Sequence, residues 1–177
     1  MKKLLDKLFR HENLEEEEAA ELLSAIVNEE ANDAQIVAAI SCILMRSITE
    51  KEVQGFRNAL LERAIIPSSL PKEAIDVCGT GGDGKNTFNI STLSAVVIAG
   101  AGYPVIKHGN YGASSHCGSS NLLEAMGYRF HDQDQQLNRQ LAKSNLVFLH
   151  APLNHPCLKR LAPIRKEIGR ASCRERV

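Results

Sequence analysis

Two short segments of this 177-residue chain bring together residue types that could grip an anion. The first reads Asp76-Val77-Cys78-Gly79-Thr80-Gly81-Gly82-Asp83-Gly84-Lys85-Asn86-Thr87-Phe88-Asn89-Ile90-Ser91-Thr92. Its four glycines between positions 79 and 84 permit positive φ and bring backbone close to a ligand with no Cβ in the way. Successive N–H groups in such a turn cradle an anion, and the start of the following helix adds partial positive charge. Asn89, Ser91 and Thr92 add side-chain donors around that helix start. A phosphate or pyrophosphate is the guest this chemistry suits.

The second segment, Lys107-His108-Gly109-Asn110-Tyr111-Gly112-Ala113-Ser114-Ser115, follows the apolar run Pro104 to Ile106. Ligands of open parallel α/β sheets sit outside the carboxyl ends of the strands, so two loops that each follow a strand can converge on one ligand. Lys107 offers a fixed positive charge, Asn110 and Ser119 offer neutral hydrogen bonds, and Gly109 allows close approach. Taken singly, His108 reads as a structural hydrogen-bonded histidine and Lys107 fits a surface lysine equally well; the specificity lies in the combination. Cys78 and Cys117 flank these loops at spacings that suggest neither a nucleophile nor a metal ligand, and read as small buried residues.

Two better-known glycine patterns fit poorly. GxxxxGK[ST] fails because Lys85 lacks the required Ser or Thr after it. The letters from Gly79 to Gly84 satisfy GxGxxG, but the Asp83 carboxylate would face a dinucleotide pyrophosphate with like charge. No acidic residue ends a second strand about twenty positions on, as that motif requires.

The elements that must hold these loops are legible in outline. From Ala74 onward, short apolar runs (Ala74 to Val77, Pro104 to Ile106, Leu146 to Leu149) alternate with helix-like segments near 90–101, 119–126, 133–143 and 155–167. Strands alternating with helices predict βαβ units and a parallel sheet. The first third is helical throughout, beginning with a short helix near residues 2–10. Ala19, Leu22, Leu23, Ile26 and Val27 form one apolar stripe with Asn13 as expected N-cap and Glu16 three residues on. Ile36, Val37, Ile40, Ile43 and Leu44 form a second behind Asn32 and Asp33. Val53, Phe56, Leu60 and Leu61 form a third behind the capping-box pattern Thr49 to Glu52. Glu15 to Glu18 reads as a solvated first turn favoured by the helix dipole. The expected fold is thus α/β: a helical domain over 1–66, a proline-bounded linker over 67–73, and an incomplete parallel-sheet domain over 74–167.

Composition narrows the class. Lys plus Arg and Asp plus Glu both number 21, so bulk charge favours neither nucleic acid nor membrane, and any phosphate site must be local. The five cysteines, with no CxxC pair, argue against a disulfide framework or zinc site and fit a reducing cytosol. Charges interrupt the apolar residues at the start of the chain, so no signal peptide is expected, and the run Ala95 to Ala99 is too short to span a bilayer.

The segments Gly79-Thr80-Gly81-Gly82-Asp83, Asn89-Ile90-Ser91-Thr92 and Lys107-His108-Gly109-Asn110 resemble signature segments of the anthranilate phosphoribosyltransferases. The helical module, the linker and the stretch from His150 to Glu167 are also similar. The resemblance implies a nucleoside phosphorylase/phosphoribosyltransferase-like fold. It implies transfer of a phosphoribosyl group from 5-phosphoribosyl 1-pyrophosphate to anthranilate, a step of tryptophan biosynthesis. Carried over by position, Gly79, Gly82, Asp83, Thr87, Asn89, Ile90, Ser91, Thr92, Lys107, His108, Gly109, Asn110, Tyr111, Gly112, Ala113, Ser114, Ser115 and Ser119 would hold the sugar pyrophosphate. Ser91 would ligate Mg²⁺, and Gly79, Asn110 and Arg165 would receive anthranilate, the guanidinium pairing with its carboxylate. By itself Arg165 reads as a solvated charge on a helix. A homodimer through the helical module and a cytoplasmic location are further implications.

There are departures. Tyr111-Gly112 stands where many relatives carry Arg-Ala, removing one phosphate-facing charge. Members of the family are considerably longer, and their Asp-Glu pair that holds Mg²⁺ lies in the part not present here. Residues 168–177 do not resemble the family and look like translated sequencing adapter, so a non-native tail is expected there. The rival readings are a pyrimidine nucleoside phosphorylase, a non-catalytic nucleic-acid-binding relative, and a broken gene product without activity.

Overall fold

The computed structural model describes residues 1–79, 87–112 and 117–168. The described chain divides into two compact units, one comprising 1–64 with 157–168 and the other 65–156.

The first unit is a helical bundle. It contains α1 (Lys2–Phe9), α2 (Glu16–Val27), α3 (Asp33–Met45) and α4 (Glu50–Leu61). Asn32 caps α3 as its sequence predicts: its Oδ1 accepts from Gln35 N at 2.9 Å and Gln35 returns the bond to Asn32 N at 3.0 Å. Thr49 caps α4 in the same way through Glu52. At α2 the cap moves. Asn13 was the expected cap, but Glu15 takes the position and Glu18 accepts its N–H at 2.9 Å, while Asn13 Oδ1 accepts from the Arg46 guanidinium. The apolar stripes meet in one core that includes Leu8, Leu14, Leu22 and Ile36, all essentially inaccessible. Each such side chain contributes about 1.5–3 kcal/mol through burial. Gly55 on α4 sits against α2 so closely that a Cβ there would overlap the Glu16 carbonyl oxygen.

The bundle also contains a buried ion pair. Glu52 is fully buried; its carboxylate accepts from Arg46, from Leu14 N at 2.9 Å and from Thr49 N at 2.9 Å. Burial pushes this carboxyl up, but those donors together outweigh it and hold it at about 2.

The last helix, α9 (Leu161–Glu167), differs from the expected division. Leu161 and Ile164 join the core of the bundle, and Arg160 just before it donates to Ala31 O at 2.6 Å. Local pattern could assign 155–167 to a helix-like segment, but not to the core that its apolar face would join. The segment is also broken, with α8 (Ala151–Asn154), a 3₁₀ turn at Pro156–Lys159 and then α9. Of the expected tail, all but Ile168 lies outside the described residues.

The second unit is α/β. Strands β1 (Val105–Gly109) and β2 (Leu146–His150) pair in parallel, Val105 opposite Leu146 and Gly109 opposite His150. The predicted strand at 74–77 shrinks to one parallel bridge, Ile75 to Val105. Its neighbour Asp76 explains the shortening: Asp76 Oδ1 accepts Cys78 N at 2.9 Å and turns the chain away. The helices of this unit are α5 (Ile90–Gly100), α6 (Ser119–Ala125), α7 (Asp134–Ser144) and α8. Val105 and Phe148 pack with Ala95, Ala99 and Leu123 of α5 and α6. Ile106, Val147 and Leu149 pack with Leu137 and Leu141 of α7 and with Leu70 of the linker. The two-residue period of a strand thus gives the sheet two covered faces. Asn145 adopts left-handed φ of 54° to end α7 and start β2. The linker is pinned to α7, with Ser68 Oγ donating to Asp134 at 2.7 Å and Asn138 donating to Ser69 at 2.7 Å. No helix among the described residues is long and apolar enough to cross a membrane.

Candidate functional site

Both glycine loops leave the same edge of the second unit, and Asp76 ties their roots together. Its Oδ1 accepts Cys78 N, which opens the first loop, and His108 N at 3.3 Å, which opens the second. Gly79 lies beside the first turn of α5, where a Cβ would stand 3.7 Å from Ser91 Oγ. Asn89 is the N-cap position of α5, and its carbonyl accepts from Thr92 N and Leu93 N. Thr92 is buried and its Oγ1 has no hydrogen-bond partner among the described residues. Thr87 and Ile90 are exposed. Gly82 and Asp83 lie outside the described residues, as do Ala113, Ser114 and Ser115.

Strand alternation divides Lys107 from His108. Lys107 shares the face of Val105 with α5, and His108 shares the face of Ile106 and Leu149. Lys107 is only 2% exposed; its ammonium donates to His108 O at 3.0 Å and makes no ion pair among the described residues. Burial lowers its pKa, with Cys78 and Asp76 pulling weakly the other way. An ammonium placed there without a carboxylate is costly unless an anion arrives. Of the two readings open for Lys107 taken alone, its burial excludes the surface one. The His108 ring lies 6.0 Å from that of His155, and His108 Nε2 and His155 Nδ1 are both buried without hydrogen-bond partners among the described residues. Burial lowers the pKa of both rings, which keeps them neutral near pH 7.

Helix α6 scaffolds the second loop. Asn110 O accepts Ser120 N at 3.2 Å and Ser119 Oγ at 3.3 Å. Asn121 Oδ1 accepts Gly112 N at 2.9 Å and Gly118 N at 3.0 Å, closing the loop at both ends. Gly118 is required there, because a Cβ would overlap Gly112 N. Tyr111, the departure from Arg, directs its hydroxyl to Glu124 Oε1 at 2.7 Å. Cys78 and Cys117 are exposed, against the expectation of burial, since both sit at loop roots and not in a core. Arg165 lies on α9 in the helical unit.

Sequence reading missed Asp76, Asn121 and His150. Asp76 carries a local signal, an Asp two residues before the amide it accepts. Asn121 carries a local signal too, sitting three residues past the helix-capping Gly118, whereas His150 carries none, because it acts on Ser120 thirty positions away. Among the described residues no group of three or more His, Cys, Asp or Glu gathers to hold a metal.

The glycosyl transferase family matches this chain twice: its helical bundle domain over residues 2–64 and its a/b domain over 71–172. The anthranilate phosphoribosyltransferase of Cytophaga hutchinsonii is 54% identical over 169 residues, covering 96% of this chain and 52% of that protein. That of Bacteroides fragilis is 51% identical over 170 residues, with 96% and 51% covered. The chain spans about half the length of the curated relatives it matches. The crystal structure of anthranilate phosphoribosyltransferase from Thermus thermophilus superposes with TM-score 0.80 at 35% identity, covering 94% of this chain and 50% of that one. The Saccharomyces cerevisiae enzyme in complex with PRPP and Mg has TM-score 0.82 at 23% identity, with 94% and 50% covered, and shares the fold.

Proposed function

Because this chain belongs to the glycosyl transferase family, we propose that the complete protein transfers a phosphoribosyl group from 5-phosphoribosyl 1-pyrophosphate to anthranilate. The observation that carries this reading is Lys107, a buried ammonium that makes no ion pair among the described residues, at the root of the second glycine loop and under the electrostatic influence of Asp76 and Cys78 at the root of the first. The unpartnered Thr92 hydroxyl nearby in the α5 first turn adds a donor for the same anion. The names of the relatives supply the acceptor and the reaction.

In this reading the residues work by position and charge. Gly79, Gly82, Asp83, Thr87 and Asn89 to Thr92 form one side of the sugar-pyrophosphate site, and Lys107 to Ser115 with Ser119 the other. Lys107 meets phosphate charge, the Asn121 clasp keeps Gly112 and Gly118 in place, and Ser119 and Ser120 hold the Asn110 carbonyl. Gly79 and Asn110 receive anthranilate, whose amine attacks ribose C1 as pyrophosphate leaves; Arg165 is proposed on the resemblance alone as the partner of its carboxylate. The Ser91 hydroxyl, beside Gly79 at the first turn of α5, would supply one oxygen ligand to Mg²⁺, an ion that in general keeps several waters and is bound with substrate phosphates. Bound Mg²⁺ would neutralise charge on the departing pyrophosphate. The reading extends to a cytoplasmic homodimer; the exposed Phe9, Leu44, Met45 and Ile48 of the helical unit offer apolar surface for it.

The test is an assay of the complete protein with the donor, Mg²⁺ and anthranilate, followed by loss of anthranilate fluorescence. Donor-dependent loss with release of pyrophosphate is expected. Phosphorolysis of thymidine or uridine in place of anthranilate turnover would overturn the reading in favour of a nucleoside phosphorylase.

A further inference from the structure

At the carboxyl end of β2, His150 is 6% exposed and contacts three side chains from the second loop and its scaffold. Its Nδ1 lies 2.9 Å from Ser120 Oγ, and Ser120 is fully buried. Its ring stacks on Phe130 at 4.5 Å with planes 19° apart. The Tyr111 ring meets it edge-on at 4.8 Å, 82° between planes. Ser120 in turn donates its N–H to Asn110 O, and Tyr111 follows Asn110 directly. A line of contacts therefore runs from the rigid strand end through one imidazole to the middle of the second loop, by two routes: the Ser120 hydroxyl and the Tyr111 ring.

We propose that His150 is a positioning residue for the pyrophosphate-gripping loop, fixing Asn110 and Tyr111 through Ser120 and through ring contact. This rests on the phosphoribosyl-transfer reading, because the loop matters only if it holds a phosphorylated ligand. The departure at Tyr111 gains a physical sense. An arginine there would bring its own charge to a phosphate; a tyrosine brings none. Wedged between His150 and Glu124, it makes the loop stiffer instead, and a prearranged loop loses less freedom on binding. Burial keeps the imidazole neutral near pH 7 against the pull of Glu124, so its nitrogen shares one proton with the serine hydroxyl and carries no charge into the site.

The test uses the complete protein and inorganic pyrophosphate as probe, titrated by calorimetry, with urea midpoints measured in parallel. His150→Phe keeps the ring stack and removes the bond to Ser120; Ser120→Ala removes the same bond from the other side. Each is expected to weaken pyrophosphate binding about tenfold, the scale of one buried hydrogen bond. The double variant should be no worse than either single variant. His150→Asn sets an amide where Nδ1 stands and should regain affinity relative to His150→Ala, which removes both the Ser120 bond and the ring contact. If His150→Phe does not fold, Ser120→Ala, which removes one oxygen, carries the test. Unchanged affinity in a folded variant, additive losses, or failure of His150→Asn to bind better than His150→Ala would each overturn the proposal. A wild-type protein that binds neither pyrophosphate nor the donor would instead sink the functional reading beneath it.

Discussion

Replacing Glu52 by Gln isolates the charge of the carboxylate that joins three elements of the helical unit. The shape stays, and one oxygen still accepts Leu14 N or Thr49 N, but the Arg46 guanidinium is left in a site where its side chain is only 11% exposed. Two routes give the cost. A carboxyl held at about 2 in place of 4.5 corresponds to about 3 kcal/mol, at 1.36 kcal/mol per pH unit. Breaking a buried pair on one side costs about 3–5 kcal/mol in general. Glu52→Gln is therefore expected to destabilise the helical unit by about 3 kcal/mol at pH 7, read from urea unfolding by circular dichroism. Amide exchange at Leu14 N–H, which bonds to Glu52, reports on the same contact. The pH dependence follows from the sign of the shift. The folded pKa lies below the unfolded one, so the stabilisation is complete above pH 4.5 and is lost as pH falls toward 2. The variant should lack that part of the acid dependence. A loss below about 0.5 kcal/mol, the usual size of a surface substitution effect, or an unchanged slope between pH 4.5 and 2, would refute the reasoning.

Two further outcomes are expected. Gly55→Ala drives a methyl group into the Glu16 carbonyl and to 2.9 Å from Ala19 Cβ, so α2 and α4 must part and thermal stability should fall by about 1–3 kcal/mol. Lys107→Met removes a buried ammonium whose one acceptor among the described residues is a carbonyl, so calorimetric unfolding should show equal or greater stability while pyrophosphate affinity drops at least tenfold, an order-of-magnitude expectation for losing a charged contact. Loss of stability with intact pyrophosphate binding would remove Lys107 from the site.

The division into a helical module and a parallel α/β segment was legible along the chain because it rests on local periodicity. Apolar residues spaced three and four apart made α2, α3 and α4 visible, and the caps at Asn32 and Thr49 are short-range bonds between residues three apart. The glycine loops were legible for the same reason: composition alone marks where a backbone can approach an anion. The cap of α2 was read two residues early, since Asn13 is claimed by Arg46 from beyond α3. Other features had no local trace. Strand alternation assigns Lys107 and His108 to opposite faces only once β1 is seen between its neighbours. Whether Leu161 and Ile164 cover the bundle depends on packing, not periodicity. His150 reaches Ser120 across thirty positions, and Asp76 reaches His108 across thirty-two. Sequence by itself determined most of the segments that form helices and strands and where glycines gather, because those follow from side-chain period and composition. Tertiary structure alone decided which polar groups are buried, what holds the described ends of each loop and which lysine makes no ion pair among the described residues, because burial and pairing are properties of neighbours in space.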